Sequence, residues 1–574
     1  MKTYLNSMMT GANSYSFLFV HKKSHITRGE HPPCGSGFAP RMREPRRANA
    51  PQSARPARRG ASFSLKPPRL MQTGTRLAAV DLGSNSFRLE IAKLELGQLQ
   101  RMEYHKETVR QGGGLDADRR LSHDAMQRGW NCLARFAERL AGFQPHQVRA
   151  VATQTLREAR NREEFLTVAQ QILGFPIDVI AGREEARLIY QGVAHLLPQS
   201  DERRLVLDIG GRSTELIIGS GYAPQVMESY RVGSVAWSMR YFPDNVLSAR
   251  NFERAEIAAK AVLDDAATTH GRKQWDQAYG CSGTVGAIAD TLLLAERSPA
   301  RYQITREGLD WLRDKLIKAG RFDAIKLEGI KEERKAVIAG GLSVLRALFD
   351  LLQIDSLQYA YGALRHGALY DMLDREQEQT DVRATAVAAL AAKFSADAAQ
   401  GERVSRAALA LFDQLAPATL KKKQREELKR EIDWAARLHE IGSRISHADA
   451  HKHGAYILGH ADVAGFAMHE LHDLSQLVLG HRGKLRKLEA RFGDPLFMRQ
   501  LLALRLAVIL CHARQDPETQ HVSISADAEP AQGFTLSVGN GWAERWPQSA
   551  HLLREEVIAW QKTPWGLRLR ASGR

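Results

Sequence analysis

Two short glycine-containing turns carry residues of the kind that bind phosphate and divalent cations. Asp81 ends an apolar run and is followed by Gly83, while Asp208 ends a second apolar run before Gly210 and Gly211. Glycines admit close backbone approach and positive φ. Backbone N–H groups that converge in such a turn form a nest that binds phosphate oxygens. Since the aspartates would repel phosphate, we interpret them as ligands of a hard cation such as Mg²⁺.

The segments around the turns predict a repeated α/β unit. Strand-like stretches flank each turn, at residues 77–80 and 87–91 for the first and at 205–207 and 216–218 for the second. Helical periodicity alternates with short strands between the turns and after the second one. A single Asp-Gly turn is weak evidence because such turns are common. Two of them in matching frames indicate a pair of phosphate-binding lobes.

Seven stretches, including the two aspartate turns, resemble the exopolyphosphatase/guanosine pentaphosphate phosphohydrolase family, and their order and spacing agree with it. They are D-L-G-S-N-S-F-R-L (81–89), A-T-Q-T-L-R-E-A-R-N (152–161), G-R-E-E-A-R-L-I-Y-Q-G-V (182–193), D-I-G-G-R-S-T-E-L (208–216), G-C-S-G-T (280–284), E-E-R-K-A-V-I-A-G-G (332–341) and Y-G-A-L-R-H-G-A-L-Y-D-M-L (361–373). The stretch 438–458 also looks like the C-terminal region of long exopolyphosphatases. The resemblance covers nearly everything after Met71.

The resemblance implies a duplicated, actin-like or sugar-kinase-like two-lobed α/β fold with the active site between the lobes. An all-α domain of a degenerate His-Asp type would follow, and short strand-like segments near the end predict a small C-terminal α+β cap. The expected domains are a disordered basic leader (1–72), lobe I (73–193), lobe II (194–375), a helical domain (376–515) and a small C-terminal domain (516–574).

The same resemblance implies roles for individual residues. Glu185 matches the catalytic glutamate of the family and would act as a general base on the attacking water. Arg157 and Arg334 match arginines that face the phosphoryl chain, and the guanidinium fork suits phosphate oxygens. The implied metal ligands are Asp81, Asp208 and Glu215. The implied phosphate-binding residues are Gly83, Ser84, Asn85, Ser86, Arg88, Thr155, Gly210, Gly211, Arg212, Ser213, Thr214, Ser282, Gly283 and Thr284.

By this resemblance, most closely to long-form bacterial exopolyphosphatases, we expect a Mg²⁺-dependent exopolyphosphatase that releases orthophosphate from the end of inorganic polyphosphate. The alternative is hydrolysis of guanosine pentaphosphate to the tetraphosphate, a reaction of the stringent response, because both substrates present a terminal phosphoanhydride. An ATP-dependent kinase or chaperone is less favoured, since G-C-S-G-T is not the usual adenosine-binding pattern. A K⁺ ion and a homodimer are expected from family likeness alone.

Arg212 departs from the family pattern, which usually has a third glycine at this position. A residue other than glycine must avoid positive φ or accept strain, and its side chain is expected to enter the phosphate space. It would then either strengthen the anion site or block it, and blocking would leave a non-catalytic polyphosphate- or alarmone-binding protein. Because Glu185, Asp208, Glu215 and Arg157 are retained, we favour an active enzyme.

The helical domain is rich in histidines, which raises the alternative of a metal-dependent phosphohydrolase of the His-Asp class. Glu440 stands where the paired aspartate would be needed, and a metal site requires a specific set of ligands rather than many histidines. We therefore expect a structural domain that lines a basic channel with Lys452, His453, Arg482 and Lys484. The histidines concerned are His439, His447, His451, His453, His460, His469, His472 and His481.

Composition favours a cytoplasmic protein, with peripheral membrane association left open. The four cysteines are widely spaced and form no C-x-x-C pair, which fits a reducing compartment. Much of the net charge of +16 comes from residues 1–70, which hold 13 of the 81 basic residues and two acidic ones. That segment is interpreted as a solvated leader or an over-extended start, rather than as a polyanion-binding arm. Nucleic acid is not expected as a partner, because the aromatic residues form no stacking platform.

Overall fold

The computed structural model describes residues 74–571 except 96–97, 199, 376–380, 462, 518–521 and 528–532. The predicted leader, residues 1–72, lies outside the described residues. None of the described helices is long and apolar enough to cross a membrane. Short 3-10 helices cover Gln111–Gly114, Pro145–Gln147, Pro243–Asn245, Arg272–Gln274, Ile441–Arg444 and Leu485–Arg491.

The first sheet contains five strands in the order β3-β2-β1-β4-β5. Its strands are β1 (Arg76–Leu82), β2 (Phe87–Glu95), β3 (Gln98–Glu107), β4 (Val148–Ala152) and β5 (Ile177–Val179). Its helices are α1 (His123–Arg139), α2 (Gln154–Glu158), α3 (Arg162–Leu173) and α4 (Gly182–Ala194). Strand β1 is apolar because it lies between the antiparallel β2 and the parallel β4.

The second sheet contains six strands in the order β10-β11-β9-β6-β7-β8. Its strands are β6 (Arg203–Ile209), β7 (Thr214–Ser220), β8 (Ala223–Tyr230), β9 (Gln277–Cys281), β10 (Gln303–Thr305) and β11 (Ser356–Tyr359). The helices of this part are α5 (Ser234–Tyr241), α6 (Ala249–Val262), α7 (Ala266–Thr269), α8 (Ser282–Leu294), α9 (Arg306–Ala319), α10 (Glu332–Leu352) and α11 (Leu364–Arg375). In both sheets the first four strands along the chain follow the spatial order third, second, first, fourth.

Helix α11 packs against the first lobe, although residues up to 375 were expected to belong to the second. A Cβ atom added at Gly367 would lie 1.8 Å from the carbonyl oxygen of Leu188 in α4, so the two helices touch backbone to backbone. On its other side α11 shares a core with β1, through Ala368, Leu369 and Leu77. The chain therefore returns to the first sheet before the helical domain begins.

The remaining residues form helices, as predicted, and one small sheet. The helices are α12 (Val382–Lys393), α13 (Ala398–Leu415), α14 (Lys422–Leu438), α15 (Ala450–His460), α16 (Met468–Gly480), α17 (Pro495–Leu510), α18 (Trp542–Arg545) and α19 (Pro547–Trp560). The strands β12 (Val522–Ala526), β13 (Gly533–Val538) and β14 (Gly566–Ala571) pair in the order β12-β13-β14. One continuous hydrophobic core joins this sheet to the helices, for example through Phe534, Trp560 and Phe497. The hydrophobic core therefore does not divide at the boundary expected at 515/516.

Candidate active site

A cleft of about 330 Å³ opens at the carboxyl ends of β1, β4, β6 and β9. These strands are parallel within each sheet, so the loops that follow them meet at one edge. Both aspartate turns and Glu185 line this single cleft. The predicted residues found in its wall are Asp81, Gly83, Ser84, Asn85, Ser86, Arg88, Glu185, Asp208, Gly210, Gly211, Ser213, Ser282, Gly283, Thr284 and Arg334.

The two turns have the same internal geometry. A Cβ atom added at Gly83 would lie 3.0 Å from the carbonyl oxygen of Ser86, and one added at Gly210 would lie 3.0 Å from that of Ser213. Neither glycine has a positive φ, so the expectation of left-handed backbone here is wrong. Glycine is favoured at both positions because a side chain would press against the backbone of its own turn.

Two helix N-termini also face the cleft. The first turn of α8 supplies Ser282, Gly283 and Thr284, and the free N–H groups of a helix N-terminus attract anions. The first turn of α10 supplies Arg334, which is 8% exposed and makes no ion pair with any described residue. Burial and the nearby charge of Arg88 lower the pKa of Arg334. An unpaired guanidinium in this position is a strong attraction for an anionic ligand.

Glu185 is a buried carboxylate with one cationic partner. Its Oε2 accepts a hydrogen bond from Nη1 of Arg157 at 2.7 Å. Burial raises the pKa of Glu185, Arg157 opposes the shift, and the charges of Asp208 and Asp81 add to it. A carboxylate whose pKa lies above its usual value is a better proton acceptor, which is the property a general base needs.

Asp81 and Asp208 bring two further carboxylates to the cleft. Asp81 is paired with Arg88 at 2.8 Å, and Asp208 accepts a hydrogen bond from the Cys281 thiol at 3.2 Å. Burial raises the pKa of Asp208 to about 6. Across the described part of the chain, no three His, Cys, Asp or Glu side chains are grouped so that they could hold a metal ion. The site therefore offers a pair of cleft-facing carboxylates and not a three-ligand cage.

Glu184, the other acid of the E-E-A-R motif, points elsewhere. Its carboxylate accepts hydrogen bonds from Nε and Nη2 of Arg187 at 2.7 and 2.8 Å, and from the backbone N–H of Gly465 at 2.7 Å. It ties α4 to the helical domain and does not line the cleft. Of these two adjacent glutamates, Glu185 alone is available for chemistry.

Thr155, Thr214 and Glu215 lie behind the cleft wall, which corrects their expected roles. The Thr214 hydroxyl donates to the Val232 carbonyl at 2.6 Å, and Glu215 accepts from the Ser229 hydroxyl at 2.8 Å. All three predicted residues are almost fully buried. Burial and neighbouring carboxylates raise the pKa of Glu215 well above its usual value.

Arg157 and Arg212 also point away from the cleft. Arg157 uses its guanidinium on Glu185 and on neighbours outside the cleft. Arg212 has no positive φ, and its side chain reaches Glu158 and the Gly112 carbonyl in the first lobe. It neither enters nor blocks the anion site, so both outcomes expected for it are wrong. The position of Arg212 therefore gives no support to the non-catalytic alternative.

Several cleft residues were missed from the sequence. Lys106 lies on β3, a strand that the pattern did not predict, and burial together with Arg334 and Arg88 lowers its pKa. Several of the other residues lie inside the motifs quoted above but were not interpreted as site residues, because only the fold brings their separate loops together. The missed residues are Tyr104, Lys106, Thr153, Ile189, Ile209, Ser234, Lys331, Tyr359, Tyr361, Gly362, Ala363, Leu364 and Arg365.

The histidines of the helical domain form no metal site among the described residues. His439 and His481 each use Nδ1 on a backbone carbonyl, those of Ala436 and Val478. Burial lowers the pKa of both rings. Such hydrogen bonds to backbone carbonyls are typical of histidines that pack inside a helical core. The expected basic channel remains a prediction.

Comparison with known proteins assigns the chain to a family. Residues 90–376 match the Ppx/GppA phosphatase family, and residues 382–557 match Ppx/GppA phosphatase, domain III. The chain belongs to the Ppx/GppA phosphatase family. Proteins named guanosine-5'-triphosphate,3'-diphosphate pyrophosphatase from Vibrio cholerae serotype O1 and Vibrio vulnificus are 38% identical over 493 residues, which is 85% of this chain and 97% of theirs.

Solved structures of Ppx/GppA proteins align with about half of the chain. An exopolyphosphatase from Cytophaga hutchinsonii is 24% identical, with 52% of this chain and 98% of that one covered and a TM-score of 0.48. A PPX-GPPA enzyme from Aquifex aeolicus is 25% identical, with 51% and 98% covered and a TM-score of 0.43.

Replacing Gly283 with alanine is expected to lower the rate of phosphate release about tenfold, because even small displacements of a positioning group are costly. The added Cβ would lie 1.8 Å from Nη2 of Arg334, so the arginine must leave its place. Gly459→Ala in α15 is the control, since nothing lies within 4 Å of its Cβ position. Steady-state kinetics of the two variants check this, and equal rates would contradict the assigned place of Arg334.

Proposed function

We propose that this Ppx/GppA phosphatase hydrolyses the terminal phosphoanhydride of guanosine pentaphosphate, releasing orthophosphate and the tetraphosphate. The observation that carries the proposal is that Glu185 lines the same cleft as both aspartate turns and the unpaired Arg334. A terminal phosphate bound by the turns would lie within reach of cations and of one buried carboxylate.

In this mechanism the chain's residues position the phosphate and activate water. The N–H groups of the two turns and of α8 bind the terminal phosphate, and Arg334 offsets the charge that develops on its oxygens. Glu185 takes a proton from the water that attacks the phosphorus. Proton transfer of this kind contributes about 10²–10⁴-fold to the rate, and positioning with charge neutralisation supplies most of the rest.

Mg²⁺ would be held by Asp81 and Asp208. Mg²⁺ commonly binds through one or two carboxylates together with waters and substrate phosphates, which suits a cleft with two facing carboxylates. Burial is the main cause of the raised pKa of Asp208, and the negative charge of Asp81, which a cation would offset, adds to it. When bound, Mg²⁺ would neutralise charge on the phosphoanhydride. Glu215 fits less well because it lies behind the wall. The K⁺ ion, the homodimer and the cytoplasmic location stay predictions.

Two observations favour the nucleotide over polyphosphate. The Vibrio relatives named above are 38% identical across most of this chain. Tyr361, which lines the cleft, is 64% exposed and lies beside Tyr359, with the ring centroids 5.2 Å apart. An exposed aromatic ring suits stacking of a purine base, and polyphosphate has no ring. Polyphosphate is the second candidate because the cleft also carries Lys106, Lys331 and Arg365.

Kinetics with both substrates test the choice between them. We expect a higher kcat/KM for guanosine pentaphosphate than for long-chain polyphosphate. Tyr361→Ala should raise KM for the nucleotide about tenfold, given the usual worth of base–aromatic stacking, and leave KM for polyphosphate unchanged. Tyr456→Ala, equally exposed at 63% but in α15, is the control. A higher kcat/KM for polyphosphate, with no effect of Tyr361, would establish the second candidate instead.

A further inference from the structure

A continuous set of hydrogen bonds joins the second aspartate turn to Glu185. Arg212 donates from Nε and Nη2 to Glu158 Oε2 at 3.1 and 2.9 Å. Gln154 donates from Nε2 to Glu158 Oε1 at 2.5 Å. Arg157 donates from Nε and Nη2 to Gln154 Oε1 at 3.0 and 2.6 Å, and from Nη1 to Glu185 at 2.7 Å. We name these five side chains the relay.

The relay also reaches the first aspartate turn. Nη1 of Arg212 donates to the carbonyl oxygen of Gly112 at 3.0 Å, and the N–H of Gly112 donates to the carbonyl oxygen of Ser84 at 2.7 Å. Arg212 follows β6, whereas Gly112 and Glu158 belong to the first lobe. The Arg212 and Glu158 side chains are only 20% and 14% exposed. One guanidinium thus spans both lobes beside the cleft.

The orientation of Arg157 depends on the rest of the relay. Nη1 of Arg157 is shared between Glu185 and the Ile180 carbonyl, while Nε and Nη2 are both used on Gln154. Gln154 is held in turn by Glu158. Without Arg212, Glu158 would keep a neutral amide as its partner, and a partly buried carboxylate that loses a charged donor is expected to turn toward water. Gln154 and then Arg157 would in turn lose the contacts that hold them, and Arg157 would no longer orient Glu185.

We propose that Arg212 is a positioning residue that orients Glu185 through Glu158, Gln154 and Arg157, and that it couples this orientation to contact between the lobes. The proposal rests on the proposed function in so far as Glu185 activates the attacking water. It gives the non-glycine residue in this turn a role away from the phosphate. It also explains why Arg157 lies outside the cleft yet contacts the carboxylate inside it.

Loosening the relay has a defined electrostatic sign. Arg157 lowers the pKa of Glu185, whereas the negative charges of Asp208 and Asp81 raise it. Glu215 is a further nearby carboxylate of like charge. If Arg157 moves away, burial and the three carboxylates remain, so the pKa of Glu185 rises. The acidic limb of the pH profile of kcat/KM then moves to higher pH.

The kinetic test compares Arg212→Gly, Arg212→Lys, Glu158→Gln and the double variant Arg212→Gly/Glu158→Gln. We expect Arg212→Gly and Glu158→Gln each to lower kcat about tenfold with little change in KM, as misplacement of a catalytic group does. The double variant should be no worse than either single one, because both break the same connection. Arg212→Lys, which keeps one donor, should recover part of the rate. Arg183→Ala is the control, since its bridge to Glu228 also joins the lobes but touches no relay member.

The acidic limb of the profile should move to higher pH in Arg212→Gly and stay in place in Arg183→Ala. An unchanged or increased kcat in Arg212→Gly, an unmoved limb, or additive losses in the double variant would each overturn the proposal.

Amide hydrogen exchange provides a test that does not depend on hydrolysis. Exchange in residues 154–158 and 180–187 should be faster in Arg212→Gly than in the unmodified chain. Arg183→Ala changes a residue of the second segment itself, so it serves as the control for residues 154–158, where exchange should be unaffected. If the unmodified chain hydrolyses neither guanosine pentaphosphate nor polyphosphate, the proposed function fails. Hydrogen exchange alone then tests whether Arg212 holds the relay in place. Unchanged exchange in both segments of Arg212→Gly would overturn it.

Discussion

Glu185→Gln is expected to lower kcat by about 10²–10⁴-fold, the usual contribution of a general base. Glutamine has nearly the same shape but cannot accept the proton from the attacking water. Substrate affinity should change little, because the turns, α8 and Arg334 remain in place. Rapid-quench measurement of phosphate release gives kcat, and equilibrium binding of the nucleotide gives the affinity.

Glu184→Gln is the matched control for this experiment. The residue type, the helix and the substitution are the same, but Glu184 faces Arg187 and the backbone of Gly465 instead of the cleft. We expect Glu184→Gln to lower the unfolding temperature and to keep most of kcat. If Glu184→Gln abolished kcat while Glu185→Gln kept it, the assignment within the E-E-A-R motif would be wrong.

Arg334→Gln is expected to lower kcat/KM by about 10²-fold, the loss typical of removing one donor to the charge that develops in a transition state. The free energy of unfolding should not fall. It should rise by about 1 kcal/mol, because the variant removes a buried cation that has no partner. Loss of activity with a gain in stability is the result expected of a residue kept for binding an anion.

Arg346→Gln, in the same helix α10, is the comparison for Arg334. Arg346 is buried and paired with Glu256 at 2.6 Å and with Asp310. Removing it leaves the largely buried Glu256 carboxylate without this guanidinium, while Asp310 keeps Arg306 and Arg313 nearby. The loss should cost about 3 kcal/mol of the free energy of unfolding, with kcat/KM per folded molecule retained. Urea unfolding and steady-state kinetics on both variants measure the contrast. Equal destabilisation by the two substitutions would contradict the unpaired state of Arg334.

The strands that carry the site could be predicted because they are buried. Residues 77–80 and 205–207 lie inside sheets, and their apolar runs reflect this burial directly. The edge strand Gln98–Glu107 was missed because none of its side chains is buried and it shows no apolar alternation. Lys106 was missed with it. Strand Ala223–Tyr230, which pairs with the second strand of that lobe's hairpin, was missed for the same reason.

The sequence motifs predicted that the two aspartate turns lie close together. They did not predict the directions of long side chains. Gly83, Gly210 and Glu185 are held by backbone geometry, and they line one cleft as the sequence indicated. Arg212 ends in the opposite lobe, on a carboxylate 54 positions earlier in the chain. A flexible side chain has many rotamers, and the choice among them depends on partners that only the folded chain brings near.

The most direct test of the central claim is the fate of oxygen from solvent during turnover of guanosine pentaphosphate in ¹⁸O-labelled water. Attack of a Glu185-activated water on the terminal phosphorus predicts one ¹⁸O atom in the released orthophosphate and none in the guanosine tetraphosphate, as read by mass spectrometry. Label in the nucleotide product, or release of pyrophosphate, would show that another phosphorus is attacked and would contradict the account.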